Sequence, residues 1–109
     1  MSIASLRKFN QLAVKHIERF GTRDDLKILL EIGTRQQVGE RLTLKTLMLC
    51  CAVPESTLKR RLAKLVRQGF VIKEMTADDH RVHCYTIADK TMKFLNAFID
   101  DIRAFDWPR

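Results

Sequence analysis

The chain lacks the short motifs that mark the commonest enzymes. It has no glycine-rich phosphate loop and no H-E-x-x-H, C-x-x-C or G-x-S-x-G sequence. That argues against the usual nucleotide-binding, zinc-hydrolase and serine-hydrolase arrangements, and we expect no enzymatic activity, no cofactor and no metal site. Cysteine is scarce and odd in number. Cys50, Cys51 and Cys84 lack the spacing of a zinc site or a disulfide framework. They read as small buried hydrophobes, Cys51 packing at the end of a helix. A thiol redox sensor is the alternative, and it needs an exposed cysteine of low pKa. Long hydrophobic runs are also missing. None approaches the ~20 residues of a membrane span, and the opening stretch MSIASLRKFNQ has no apolar centre of the secretory type. The expectation is a cytoplasmic protein with no membrane partner.

What is present is a basic, globular chain of 109 residues, 46% hydrophobic and 30% charged. That length and composition predict a single domain, 1–109, with a core small enough for a partner subunit to help cover it. The formal net charge is +7, and its placement says more than its size. Residues 41–73 hold Arg41, Lys45, Lys59, Arg60, Arg61, Lys64, Arg67 and Lys73 against one acid, Glu55. The rest of the chain is balanced, so the whole excess lies in this segment. A localised basic patch is the electrostatic footprint of phosphate binding. The plainer alternative is a solvated helix face.

The patch coincides with LTLKTLMLCCAVPESTLKRRLAKLVRQGFV, residues 42–71. Its pattern predicts a helix over 44–51, a turn at Ala52-Val53-Pro54, and a second helix over 55–68. A very short strand at 42–44 precedes the first helix, with Thr43 or a neighbour as cap. In the second helix Leu58, Leu62 and Leu65 recur at i, i+4 and i+7 and form one apolar stripe. Ser56, Lys59, Arg60, Ala63, Lys64 and Arg67 fall on the other side. Pro54 suits a helix start and Gly69 the position past its end. The whole segment, 43–68, reads as a helix-turn-helix whose second helix anchors through leucines and presents basic and small polar residues to a DNA groove.

After Gly69 the period becomes extended. Residues 70–75 and 82–87 read as two strands around a charged tip, TADDHR, which together make a wing over 70–87. The adjacent acids Asp78-Asp79 fit that tip and Asp100-Asp101 a helix face. Terminal helices are expected over 2–20 and 89–106. The first carries Ile3, Leu6, Ala13, Ile17 and Phe20, and its His16 reads as a surface or boundary residue. The last carries Met92, Leu95, Ile99 and Ile102, with Phe94, Phe98 and Phe105 as a second stripe. Between them lies a helix starting near Thr22, capped there with Asp25 three residues on. Its Leu26, Ile28, Leu29, Leu30 and Ile32 predict deep burial, and Gly33 close packing or an early end. The wide apolar face of the last helix either folds back on the first helix or pairs with a second copy. We expect the second, a homodimer.

From residue 42 to about 95 the sequence resembles the MarR-type winged helix-turn-helix transcriptional regulators. Thr57 and Leu65 stand where that family has its recognition-helix threonine and leucine, and Gly69-Phe70-Val71 where it has a glycine and two apolar residues. Asp79-His80-Arg81 matches its wing signature of aspartate, any residue, arginine. The resemblance implies that Arg81 enters the minor groove with Asp79 as support, which suits the negative potential of a narrow groove. After the wing the family's cap and glycine are replaced by Ile87-Ala88-Asp89-Lys90-Thr91, where Asp89 can cap. The chain is shorter than most members at both ends, so a small-molecule effector is not expected.

The expected fold is therefore mainly α with a small β wing, a winged helix-turn-helix whose N- and C-terminal helices form a dimerisation region. The expected function is sequence-specific binding of double-stranded DNA as a dimeric transcriptional regulator. Ser56, Thr57, Lys59, Arg60 and Lys64 face the major groove, Arg60 being suited to a bidentate contact with guanine. Lys45, Arg67 and Lys73, with Arg41, are expected on phosphates, and Arg61 on a phosphate or a neighbouring side chain. The alternatives are a winged helix used for protein–protein interaction and the redox-sensing regulator.

Overall fold

The computed structural model describes residues 2–76 and 82–105. Five helices and three strands follow in the order α1 (Ile3–Ile17), α2 (Arg23–Gln37), β1 (Leu42–Thr43), α3 (Leu44–Cys50), α4 (Glu55–Arg67), β2 (Val71–Met75), β3 (His83–Ile87) and α5 (Asp89–Ala104). The strands form one antiparallel sheet in the order β1-β3-β2. Leu42 pairs with Tyr85, and the β2–β3 ladder runs from Val71↔Ile87 to Met75↔His83.

Side-chain caps set two helix starts. Thr22 Oγ1 accepts from Asp25 N while the Asp25 carboxylate accepts from Thr22 N, a reciprocal capping box. Thr43 caps α3 by accepting from Thr46 N. At α5 the expected cap differs: Asp89 is the first helical residue, and Ala88 holds the cap position with no side-chain bond. The polar residue that matters there is Thr91, whose buried hydroxyl donates to Phe70 O at 2.7 Å. Gly69, at φ +77°, turns the chain out of α4, a left-handed conformation that a side chain would strain.

The core joins α2, α3, α4 and the sheet. Ile28, Leu29, Ile32, Leu47, Leu58 and Leu65 are fully buried, with Leu42, Val71 and Ile87 closing it from the sheet. A Cβ on Gly33 would lie 2.9 Å from Ile87 Cδ1, so α2 packs tightly on β3 there. Gln36 Oε1 accepts from Ile87 N at 2.8 Å, which satisfies a strand donor from the helix above it. α2 is less enclosed than its composition predicts: Leu30 is half exposed.

The terminal helices differ from expectation in two respects. α1 ends at Ile17, and Phe20, outside the helix, is buried against the rings of Phe70 and Phe94. His16 is not a surface residue. It is 2% exposed, stacked on Phe98 at 4.7 Å, and its Nε2–H donates to Asp101 Oδ2 at 2.6 Å. The cause is that α5 folds back along α1 in the same chain, Phe9 against Phe105 included. Asp101, read as part of a helix face, is thereby the partner of a buried imidazole.

Candidate nucleic-acid interface

Helix α4 is split along its length. Leu58, Leu62 and Leu65 are buried, and on the opposite side Ser56, Arg60, Ala63 and Arg67 are exposed. One edge carries exposed Lys59, paired within the helix to Glu55 at 2.9 Å. The other edge carries Thr57, Arg61 and Lys64, all half-buried. Among the described residues no hydrogen bond or ion pair holds Arg60, Arg67, Lys45 or Lys73. Those cations therefore keep their full donor capacity for an external anion.

Between α4 and the sheet lies an open cleft of about 310 Å³. Lys59 and Arg67 from the helix and Lys73 from β2 line it, above an apolar floor that includes Leu62, Val66 and Tyr85. The helix and the adjoining strand thus bring three cations to one groove. Lys45, on α3, is exposed, as is Arg41 before β1. Asp79 and Arg81 fall in residues 77–81, outside the described residues.

Arg61 and Lys64 lie differently from the rest of the basic set. Arg61 Nη1 is 3.6 Å from Oδ2 of Asp25, a carboxylate with no exposure at the start of α2. Lys64 Nζ ends nearby without an ion pair to it: a Cβ on Gly21 would lie 2.4 Å from that oxygen and 2.9 Å from the ammonium. Asp25 is the residue that sequence reasoning took only for a cap. Its capping role was legible from Thr22 three residues before. Its second role, facing α4, joins residues 36 positions apart in the chain, and no local pattern signals it.

The cysteines are free, Cys51 buried and Cys50 and Cys84 half-buried. Burial, followed by the negative charge of Glu31, pushes the Cys50 and Cys51 thiols above their ordinary values. Both are therefore protonated at neutral pH, the wrong state for a reactive sensor thiol. Among the described residues no group of three His, Cys, Asp or Glu side chains gathers as metal ligands would, and no helix is long and apolar enough to cross a membrane.

No protein-family model matches the sequence, and no curated protein matches it. Solved structures do match the fold. The MepR–DNA complex of S. aureus superposes with a TM-score of 0.74 at 19% identity, over 89% of this chain and 80% of that one. MarR gives 0.67 at 16% identity, over 94% and 72%. The disulfide form of AbfR gives 0.67 at 24% identity, over 94% and 68%. Five helices around a small antiparallel sheet, with the basic helix and the β2–β3 hairpin on one side, make this chain's fold the winged helix of the MarR-type regulators.

Proposed function

We propose that this protein binds double-stranded DNA sequence-specifically, as a homodimer, and regulates transcription. The observation that carries the reading is the split of α4: a leucine face fully buried in the core and, opposite it, an exposed stripe of Ser56, Arg60, Ala63 and Arg67. A helix held so, with small residues between its cations, can enter a major groove closely enough to reach base edges. Arg60 reads a base, with Ser56, Thr57 and Lys59 beside it and Lys64 at the edge. Arg67, Lys73 and Lys45 neutralise phosphates, the cleft between α4 and β2 taking the backbone that runs between the grooves. The wing tip enters the minor groove through Arg81, supported by Asp79, as the MarR-type resemblance implies. That MepR, similar in fold, was solved on DNA supports the same placement.

Dimerisation is supported by what the chain leaves uncovered. Ile3 is 87% exposed and Leu6 56%, and Ile99 on α5 adds a third large apolar side chain. A two-fold pair of such chains would match a palindromic site.

Selection from a random pool of duplexes tests the reading. A palindromic motif with half-sites about one helical turn apart is the expected result. Retention without a motif would make the protein a non-specific binder. No retention at physiological salt would favour a protein-contact role for the basic face. With the motif in hand, Arg60→Ala is expected to cost about 1–3 kcal/mol of discrimination at one base position. Lys73→Ala is expected to weaken all duplexes alike and flatten the salt slope by about one.

A further inference from the structure

Asp25 is an expensive residue for its place. Its side chain is fully buried at the first turn of α2, and Oδ1 has no hydrogen-bond partner among the described residues. Oδ2 accepts from Thr22 N at 2.8 Å and from Thr22 Oγ1 at 3.1 Å. Capping needs only that one oxygen, and an asparagine would supply it without a buried charge. A buried ion pair is also a weak source of net stability. The charge is therefore best explained by what faces it. Arg61 comes to Asp25 at 3.6 Å, and Lys64, one helical turn on along the same edge of α4, ends beside the same space without an ion pair to the carboxylate. Gly21, at φ +128°, leaves the space they share open; a side chain there would collide with the carboxylate and the ammonium.

Resting on the DNA-binding reading above, we propose that Asp25 is a positioning residue for specificity: it holds Arg61 against the protein and so leaves Arg60 and Arg67 to address the DNA. The physical logic is selective pairing. An unpaired cation on a flexible stem meets any phosphate it can reach, which adds affinity for every sequence equally. A cation tied to a buried carboxylate cannot do so, and the tie fixes the edge of α4 next to Arg60. Asp25 itself touches no DNA; it acts through Arg61.

The test compares wild type, Asp25→Asn, Arg61→Gln and the double variant on the selected duplex and on a scrambled duplex of equal length. Circular dichroism checks that each is folded. Asp25→Asn keeps the capping oxygen and removes the charge. The ratio of specific to non-specific affinity is expected to fall about tenfold. The salt slope on scrambled DNA is expected to steepen by about one, as Arg61 gains a phosphate. Arg61→Gln is expected to lower the ratio without steepening the slope. The double variant is expected to be no worse in ratio than Asp25→Asn alone. A folded Asp25→Asn with an unchanged ratio and slope overturns the proposal, and so do fully additive losses in the double variant. A purely structural Asp25 would lower the melting temperature and leave the ratio alone. If Asp25→Asn does not fold, Arg61→Gln decides, an unchanged ratio again overturning the idea. A wild-type protein that fails to distinguish the two duplexes refutes the DNA-binding reading itself, which is a different outcome from wild-type discrimination that survives both substitutions.

Discussion

The central lobe, α2 to β3, and the pair of terminal helices solve the burial problem differently. In the lobe, leucines and isoleucines from α2, α3 and α4 meet the sheet, and Ile28, Leu29, Ile32, Leu47, Leu58 and Leu65 reach zero exposure. Between α1 and α5 the contacts include aromatic and polar ones: Phe9 on Phe105, and His16 stacked on Phe98 and bonded to Asp101. Ile3 and Leu6 remain outside. The lobe buries its central leucines and isoleucines, leaves side chains such as Val38 and Leu49 exposed, and carries Lys45, Arg60, Arg67 and Lys73 unpaired among the described residues. The terminal pair uses a polar bond inside and leaves apolar surface out. A surface that exposes cations suits a polyanion, and one that exposes aliphatic side chains suits another apolar surface. The difference fits the division of labour proposed above, with the unpaired cations of the lobe toward DNA and Ile3 and Leu6 toward a second copy.

The contrast can be broken first at the lobe. Leu58→Ala removes a fully buried anchor of α4 and is expected to cost about 2–5 kcal/mol in urea denaturation. A loss much below that range would mean that the lobe is less tightly packed than its burial implies. A smaller loss, about 1–2 kcal/mol, is expected from Asp101→Asn, which weakens the bond to the buried His16 ring. The lobe's own hydrogen-exchange protection is expected to stay as in wild type. Equal loss of protection in both regions would show them to be one cooperative unit. The smallest effect on fold stability, within about 0.5 kcal/mol, is expected from Leu6→Lys on the exposed face of α1. Yet the same change is expected to move the protein from dimer to monomer in analytical ultracentrifugation. A wild type that sediments as a monomer removes the need for a partner at that face.

The thiols sharpen the picture in another way. Because burial and Glu31 raise Cys50 and Cys51, both stay protonated at pH 7 and gain thiolate only as pH rises past their raised values. Their alkylation by iodoacetamide in the native protein is expected to be slow at pH 7 and to accelerate as the buffer is made more alkaline. Fast labelling of either at neutral pH would reopen the redox-sensor alternative.

Much of the lobe was legible in the sequence. The spacing of Leu58, Leu62 and Leu65 fixed both the existence of α4 and its buried face, because helical periodicity is local. Thr22 with Asp25, Thr43, and Gly69 marked helix boundaries by chemistry confined to a few residues. The change of period after Gly69 announced the wing strands. The terminal region was read less well. His16 and Asp101 lie 85 positions apart, so neither could be seen as the other's partner. His16 was misread because burial of a polar ring depends on what packs over it, and α5 is distant in the chain. Asp89 was misplaced by one residue, and the Thr91 hydroxyl took the polar role through Phe70, 21 positions away.

The sequence by itself determined which segments are helices and strands, where all the excess charge sits, and which side of α4 is basic. These follow from periodicity, capping and composition, which act over a few residues. Only the tertiary structure decided how that basic set is divided. Arg60 and Arg67 stand free while Arg61 turns to Asp25. Lys73 of β2 joins Lys59 and Arg67 at one cleft. The reason is physical: electrostatic pairing depends on distance in space, and the residues it joins here are brought together by the packing of α2 and the sheet against α4.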